Sequence, residues 1–133
     1  MANLTNAYEK ILLDALTGVT PWTSPTTVYI SLHTADPTES GLVTDELSGD
    51  GYSRISLNNV FPSATSESNV NILAIASANA DADWPTITHV GYCASSTVGA
   101  DDMILYDSLS LPVNVLTGNA FAIAIGNALI TVA

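Results

Sequence analysis

Past Pro25 the apolar residues of this chain settle into a period of two and keep it through most of the remaining length, the spacing of a pleated strand whose side chains point alternately to opposite faces. Val28, Ile30 and Leu32 alternate with Tyr29, Ser31 and His33. Further alternating stretches fall at 52–58, 70–77, 86–94, 103–106, 111–115, 120–125 and 128–132, about eight strands in all. Turn residues such as Gly118-Asn119 and Gly126-Asn127 separate the last of them. Because no helical segment lies between strands, βαβ units are excluded and neighbouring strands should run antiparallel. The expected fold is mainly β: an antiparallel β-sandwich or jelly-roll-like barrel.

Upstream of Pro25 the pattern is different. Tyr8, Ile11, Leu12, Ala15 and Leu16 lie on one helical face, Asn6 with Glu9 has the spacing of a capping box, and Gly18 stands where a helix would stop. The spacing predicts one N-terminal helix over about 6–17, a connector over 18–26 in which Pro21 and Pro25 hold the chain extended, and a β-sandwich over 27–133, all within a single β-domain. The stretch 120–125 is apolar on both sides. Phe121, Ile123 and Ile125 point one way, and Ala120, Ala122 and Ala124 the other. Either it is a central strand covered on both faces, or its alanine face lies against another subunit.

Charge narrows the function. Thirteen carboxylates stand against Lys10 and Arg54 alone, a formal net charge of −11, although charged residues make up only 11% of the chain. Two isolated cations cannot displace counterions from a phosphate backbone or hold an anionic bilayer, so neither nucleic acid nor membrane is an expected partner. No apolar stretch reaches the ~20 residues of a membrane span, and the first residues lack the basic and apolar regions of a signal peptide, as expected of mature sequence. An arginine so isolated calls for a carboxylate, and its fork suits one from the acidic loop before it: Asp45, Glu46 or Asp50. The alternative is that Arg54 reaches a partner subunit.

Residues that could carry chemistry are few and scattered. His33 and His89 are the only histidines, and no local spacing pairs them as metal ligands. Asp36 comes after His33 in a turn signal, Thr34-Ala35-Asp36-Pro37. No serine sits in a nucleophile elbow, and Cys93, the single cysteine, has no neighbouring cation to lower its pKa. The acidic pairs Asp45-Glu46, Asp81 with Asp83, and Asp101-Asp102 lie in expected loops without an EF-hand pattern. The chain is therefore expected to be no enzyme and to need no metal or cofactor. Trp22, His33, Asp36, Arg54, Trp84, Phe121 and Ile123 are the candidates for structural or interface roles.

Leu32-His33-Thr34-Ala35-Asp36-Pro37, then Gly41, Glu46 and Gly51-Tyr52-Ser53-Arg54, resembles an LHTADP…G…E…GYxR signature of a family of small tailed-phage structural proteins. Similar residues continue through Trp84-Pro85-Thr86-Ile87-Thr88-His89-Val90-Gly91, Leu111-Pro112 and the closing Gly118-Asn119…Gly126…Leu129, so the resemblance covers nearly the whole chain. Departures occur at Gly118-Asn119, where Gly-Asp is usual, and at Gly99-Ala100-Asp101-Asp102, where Gly-Gly is usual.

The resemblance implies a virion component, tail-fibre-like, minor structural or capsid-associated. Small size, missing catalytic groups and an apolar C-terminal region favour a capsid decoration or cement protein, a homo-oligomer on the capsid surface assembled in the host cytoplasm. Its partner would be the major capsid protein or another virion protein. The alternative is a tail-associated fibre or receptor-binding module using the loop over 34–51. An envelope hydrolase is motivated only by His33, His89 and nearby carboxylates.

Overall fold

The computed structural model describes residues 2–131. A two-residue strand β1 (Asn3–Leu4) leads into helix α1 (Asn6–Leu16). Eight further strands come after it: β2 (Tyr29–His33), β3 (Ile55–Ser56), β4 (Ser68–Val70), β5 (Ile75–Ala76), β6 (Ile87–Cys93), β7 (Met103–Val113), β8 (Ala122–Ile123) and β9 (Leu129–Thr131). Five of the strands form one antiparallel sheet in the order β1-β7-β6-β2-β3. The other four make two antiparallel ribbons, β4–β9 and β5–β8. The mainly antiparallel class with one N-terminal helix is what the periodicity predicts. Its strands are shared out unevenly, five in one sheet and two in each ribbon.

The register explains why β2 and β6 are the centre. Ile30 opposes Tyr92 and Leu32 opposes Val90, so these four share one face. They join Ile75, Ile87, Val115 and Phe121 in the main hydrophobic core, which draws on the ribbons as well as the sheet. Ser31 opposes Gly91 and His33 opposes His89 on the reverse face, which is covered too: Ser31, His33 and Cys93 are fully buried. The edge of β2 beyond β3 is taken by the acidic loop, whose Leu47 N–H donates to Leu32 O at 3.0 Å while Thr34 N–H donates to Asp45 O at 3.0 Å.

Several boundaries differ from those the pattern predicts. The stretch 103–106 and residues 111–113 of the next stretch belong to one eleven-residue strand, β7, which passes through the half-buried Asp107, opposite Val90, and the exposed Ser108 and Ser110, while residues 114–115 lie beyond it. The stretch 52–58 keeps only Ile55–Ser56 as strand, since Tyr52 and Arg54 turn their side chains to Glu46. Residues 70–77 are split between two ribbons by Asn71, a buried polar residue. Its Nδ2 donates to Leu73 O (2.9 Å) and Ala124 O (3.0 Å), and its Oδ1 accepts from Ala128 N–H (2.9 Å), so it pins the β4–β5 link to the β8–β9 turn. Of 128–132, Leu129–Thr131 is strand and Val132 lies outside the described residues.

The helix starts and stops for reasons only partly visible in sequence. Thr5, not Asn6, is the N-cap, and its hydroxyl donates to Met103 O at 2.8 Å instead of capping, tying the helix to β7. Asn6 N–H is satisfied by Glu39 O at 2.8 Å. The helix ends at Leu16, with Gly18 at φ 74° just beyond, where a residue without Cβ adopts the left-handed conformation freely. None of its residues is fully buried.

Gly91 marks the tightest point of the sheet. A Cβ there would collide with Ser31 Oγ and come within 2.7 Å of Met103 Cε. Gly91→Ala is therefore expected to lower stability by about 1–3 kcal/mol in urea unfolding, the cost of overpacking a filled interior.

Candidate functional site

Arg54 is the best-defined polar site of the molecule. Its guanidinium has five N–H donors, and each finds an acceptor. Nε donates to Glu46 Oε1 (2.8 Å) and Nη2 to Glu46 Oε2 (2.9 Å), the two-pronged geometry of a guanidinium on a carboxylate. Nη1 donates to Asp102 Oδ1 (2.7 Å) and Ser95 O (3.1 Å), and Nη2 also to Ala100 O (3.0 Å). Glu46 is equally occupied: Oε1 accepts from the Tyr52 hydroxyl (3.0 Å) and Oε2 from Gly99 N–H (2.8 Å). The Arg54 and Glu46 side chains are 0% and 1% exposed. Burial alone would weaken the arginine's charge, but hydrogen bonds from Glu46 and Asp102 outweigh it and hold its pKa above the ordinary value. Of the three carboxylates the sequence offered Arg54, Glu46 is the one it meets, with Asp102 of the 94–102 loop as a partner the spacing did not suggest.

An aromatic pair extends this cluster. The Tyr52 hydroxyl accepts from Leu32 N–H at 3.1 Å, and its ring meets Trp84 edge to face at 5.7 Å and 88°. Trp84 is buried, and its Nε1 donates to Asp50 O at 2.9 Å. Arg54, Tyr52 and Trp84 thereby fasten the later part of the acidic loop, at Glu46 and Asp50, to the sheet and to the 94–102 loop.

His33 lies on the reverse face of β2 with Ser31 Oγ 2.8 Å from its Nε2, and Ser31 Oγ is in turn 3.3 Å from Cys93 Sγ. The three residue types resemble a proton relay, yet all are sealed from solvent. Burial pushes the Cys93 thiol up to about 11, so the sulfur stays protonated and a poor nucleophile. His33 is lowered to about 4, first by burial and further by Arg54 and His89, with Glu46 and Asp45 partly opposing. Its Nδ1 has no hydrogen-bond partner among the described residues. His89 is its cross-strand neighbour, and His89 Nδ1 lies 2.8 Å from Thr88 Oγ1. Asp36 stays at the surface, where Oδ1 accepts from Thr38 N–H at 2.8 Å. Among the described residues no three His, Cys, Asp or Glu side chains converge as metal ligands, and no helix is long and apolar enough to cross a membrane.

The remaining candidates divide between core and surface. Phe121 is buried, and Ile123 is half-buried opposite Ile75 across the β5–β8 ribbon. Ala120, Ala122 and Ala124 are exposed. The reading of 120–125 as a strand covered on both sides therefore gives way: β8 lies in a ribbon, with one face in the core and its alanine face open. Trp22 is 45% exposed. It lines two adjoining hollows that also share Ile104, Leu105 and Ile130: one of about 410 Å³ beside the connector at Ser24–Val28, and one of about 710 Å³ beside α1 at Tyr8, Ile11 and Leu12.

Sequence reasoning missed Asn71, Asp102 and the Ser31–Cys93 contact. An asparagine inside an apolar run was the one available signal, because a polar group there is buried only if its hydrogen bonds are met.

A family model described as Podophage GP4 fiber I protein gp80 matches residues 3–131. The match spans the described structure from β1 to β9 and does not single out the LHTADP…GYxR residues. No curated protein matches the chain.

The buried groups make their own weight measurable. Glu46→Ala strands the Arg54 guanidinium and is expected to cost about 3–5 kcal/mol in urea unfolding. Lys10→Ala, which removes only the exposed Lys10–Asp14 pair, should stay within ~0.5 kcal/mol. His33 takes up its proton in the unfolded chain near pH 6.5 but in the folded one only near 4, so its contribution is complete above 6.5 and is lost as pH falls through that window. Stability should drop by on the order of 3 kcal/mol between pH 7 and 4, and His33→Gln should flatten that slope.

Proposed function

Because this chain belongs to the Podophage GP4 fiber I protein gp80 family and is a structural component of the phage virion, we propose that it serves in a fibre, joining virion proteins through surface complementarity and performing no catalysis. The match over 3–131 carries the reading. The disposition of polar groups supports it: Ser31, His33 and Cys93 are buried, with Ser31 Oγ in contact with both of the others, while Trp22 and several large aliphatic side chains face outward. A capsid decoration protein, the sequence's first preference, would use the same kind of contact but lacks the support of the family description.

Recognition of a host receptor through the loop over 34–51 finds less support. Glu46 and Leu47 hold the far end of that loop to the body, Pro37 is buried, and the loop contains no aromatic residue. Tyr52, just beyond it, points inward to Glu46 and Trp84.

Gold-labelled antibody on intact particles, with copies per particle counted by quantitative mass spectrometry, tests the reading. Label confined to fibres at low copy number is expected. Label spread over the shell in hundreds of copies would replace the fibre reading with the decoration one.

A further inference from the structure

Helix α1 leaves its apolar face open. Tyr8, Ile11 and Leu12, three residues of that face, line the hollow of about 710 Å³, and no residue of the helix is fully buried. The Thr5 hydroxyl on Met103 O (2.8 Å) and the Asn6 N–H on Glu39 O (2.8 Å) fix the start of the helix to β7 and to the acidic loop, and so bring Glu9 and Glu39 to the same hollow. Trp22 of the connector and Tyr106 of β7 join Tyr8 there as a third and second aromatic ring, together with aliphatic side chains such as Ile104 and Leu105. The Tyr106 hydroxyl is held above its ordinary pKa, first by burial and then by the charges of Glu39, Asp36 and Glu9, so these three carboxylates gather near it. Neither Glu9 nor Glu39 is ion-paired among the described residues. The chain's two basic side chains are engaged elsewhere, Lys10 with Asp14, and Arg54 with Glu46 and Asp102.

We propose that this hollow receives a lysine or arginine side chain, set among apolar residues, from a segment of another virion protein. The proposal rests on the reading of the chain as a fibre component that joins virion proteins, and it names the chemistry of the join. Aliphatic lining, aromatic rings and free carboxylates select the occupant together. The stem of a long basic side chain covers aliphatic surface, its charged end is attracted to aromatic faces, and its charge neutralises the carboxylates. A purely apolar segment would take Glu9 and Glu39 out of water with nothing to pair them, and an acidic one would be repelled. A second copy of this chain does not meet the need, because its described residues include no unpaired basic side chain. The volume falls within the roughly 300–1,000 Å³ of sites that enclose a ligand-sized group.

Two-dimensional proton–nitrogen NMR on the full chain tests this with a capped peptide, acetyl-Ala-Leu-Lys-Leu-Ala-amide, titrated to about 5 mM in roughly 50 and 500 mM salt. The peptide is expected to shift the Trp22 indole N–H and the backbone amides of Tyr8, Glu9 and Tyr106 saturably, and to bind more weakly at the higher salt, where the carboxylates are screened. The Trp84 indole N–H, bonded to Asp50 O inside the protein, should stay in place. Norleucine or glutamate in place of the peptide's lysine should remove the shifts. Glu9→Gln combined with Glu39→Gln should raise the dissociation constant about tenfold with the urea midpoint unchanged. Asp81→Asn, an exposed carboxylate outside the hollow, should leave binding as in the parent. No saturable shift at Trp22, or a norleucine peptide that binds as well as the lysine one, overturns the proposal. Absent binding with fibre-confined label would sink this inference alone, and lysine-dependent binding at the hollow with shell-wide label would sink the fibre reading alone.

Discussion

The arrangement of loops around the sheet depends on one buried cation. Arg54 reaches the loop over 34–51 through Glu46 and the loop over 94–102 through Asp102, Ser95 and Ala100, and it does so from a position without exposure to solvent. Removing a guanidinium and a carboxylate from water is costly, and the cost is met only when both are fully bonded. Here every donor of Arg54 is used, and both oxygens of Glu46 accept twice. An apolar plug of the same volume could fill the space, but it would not dictate which loop residue meets which. The cluster thus sets the position of two long loops that have little regular structure of their own.

From that anchor the molecule divides into two regions. Around Arg54, polar side chains are buried and, His33 Nδ1 apart, hydrogen-bonded, and the sheet is covered on both faces by loops as well as by the core. At the ribbons the order is reversed: the interior is apolar around Phe121 and Ile75, Asn71 and Ser77 supply the side-chain hydrogen bonds, and aliphatic side chains face water. The first region maintains shape, and the second offers a surface.

Much of this was legible in the sequence, and the gaps have physical causes. The switch of period at Pro25 identified an antiparallel β-structure after one helix, and a lone arginine beside an acidic loop narrowed its carboxylate to Asp45, Glu46 or Asp50, of which Glu46 is the one met. Periodicity could not show that 103–113 is one strand, because Asp107, Ser108 and Ser110 interrupt the apolar pattern, and the pairing with β6 is what carries the strand through them. Nor could it show that 70–77 feeds two ribbons, since the break at Asn71 arises from hydrogen bonds to residues more than fifty positions away. Asp102 was hidden for the same reason, lying 48 positions from Arg54. That 120–125 is not covered on both faces could be seen only once β8 was placed in a ribbon and not in the middle of a sheet.

Native-state hydrogen exchange at the Gly99 amide tests the role of Arg54 most directly. That N–H lies in an exposed loop and is held only by Glu46, the carboxylate that Arg54 grips. If the buried cluster fixes the loops, Gly99 N–H opens with a free energy approaching that of the β6 amides. Exchange at the rate of an unstructured peptide, with β6 still protected, would contradict the account.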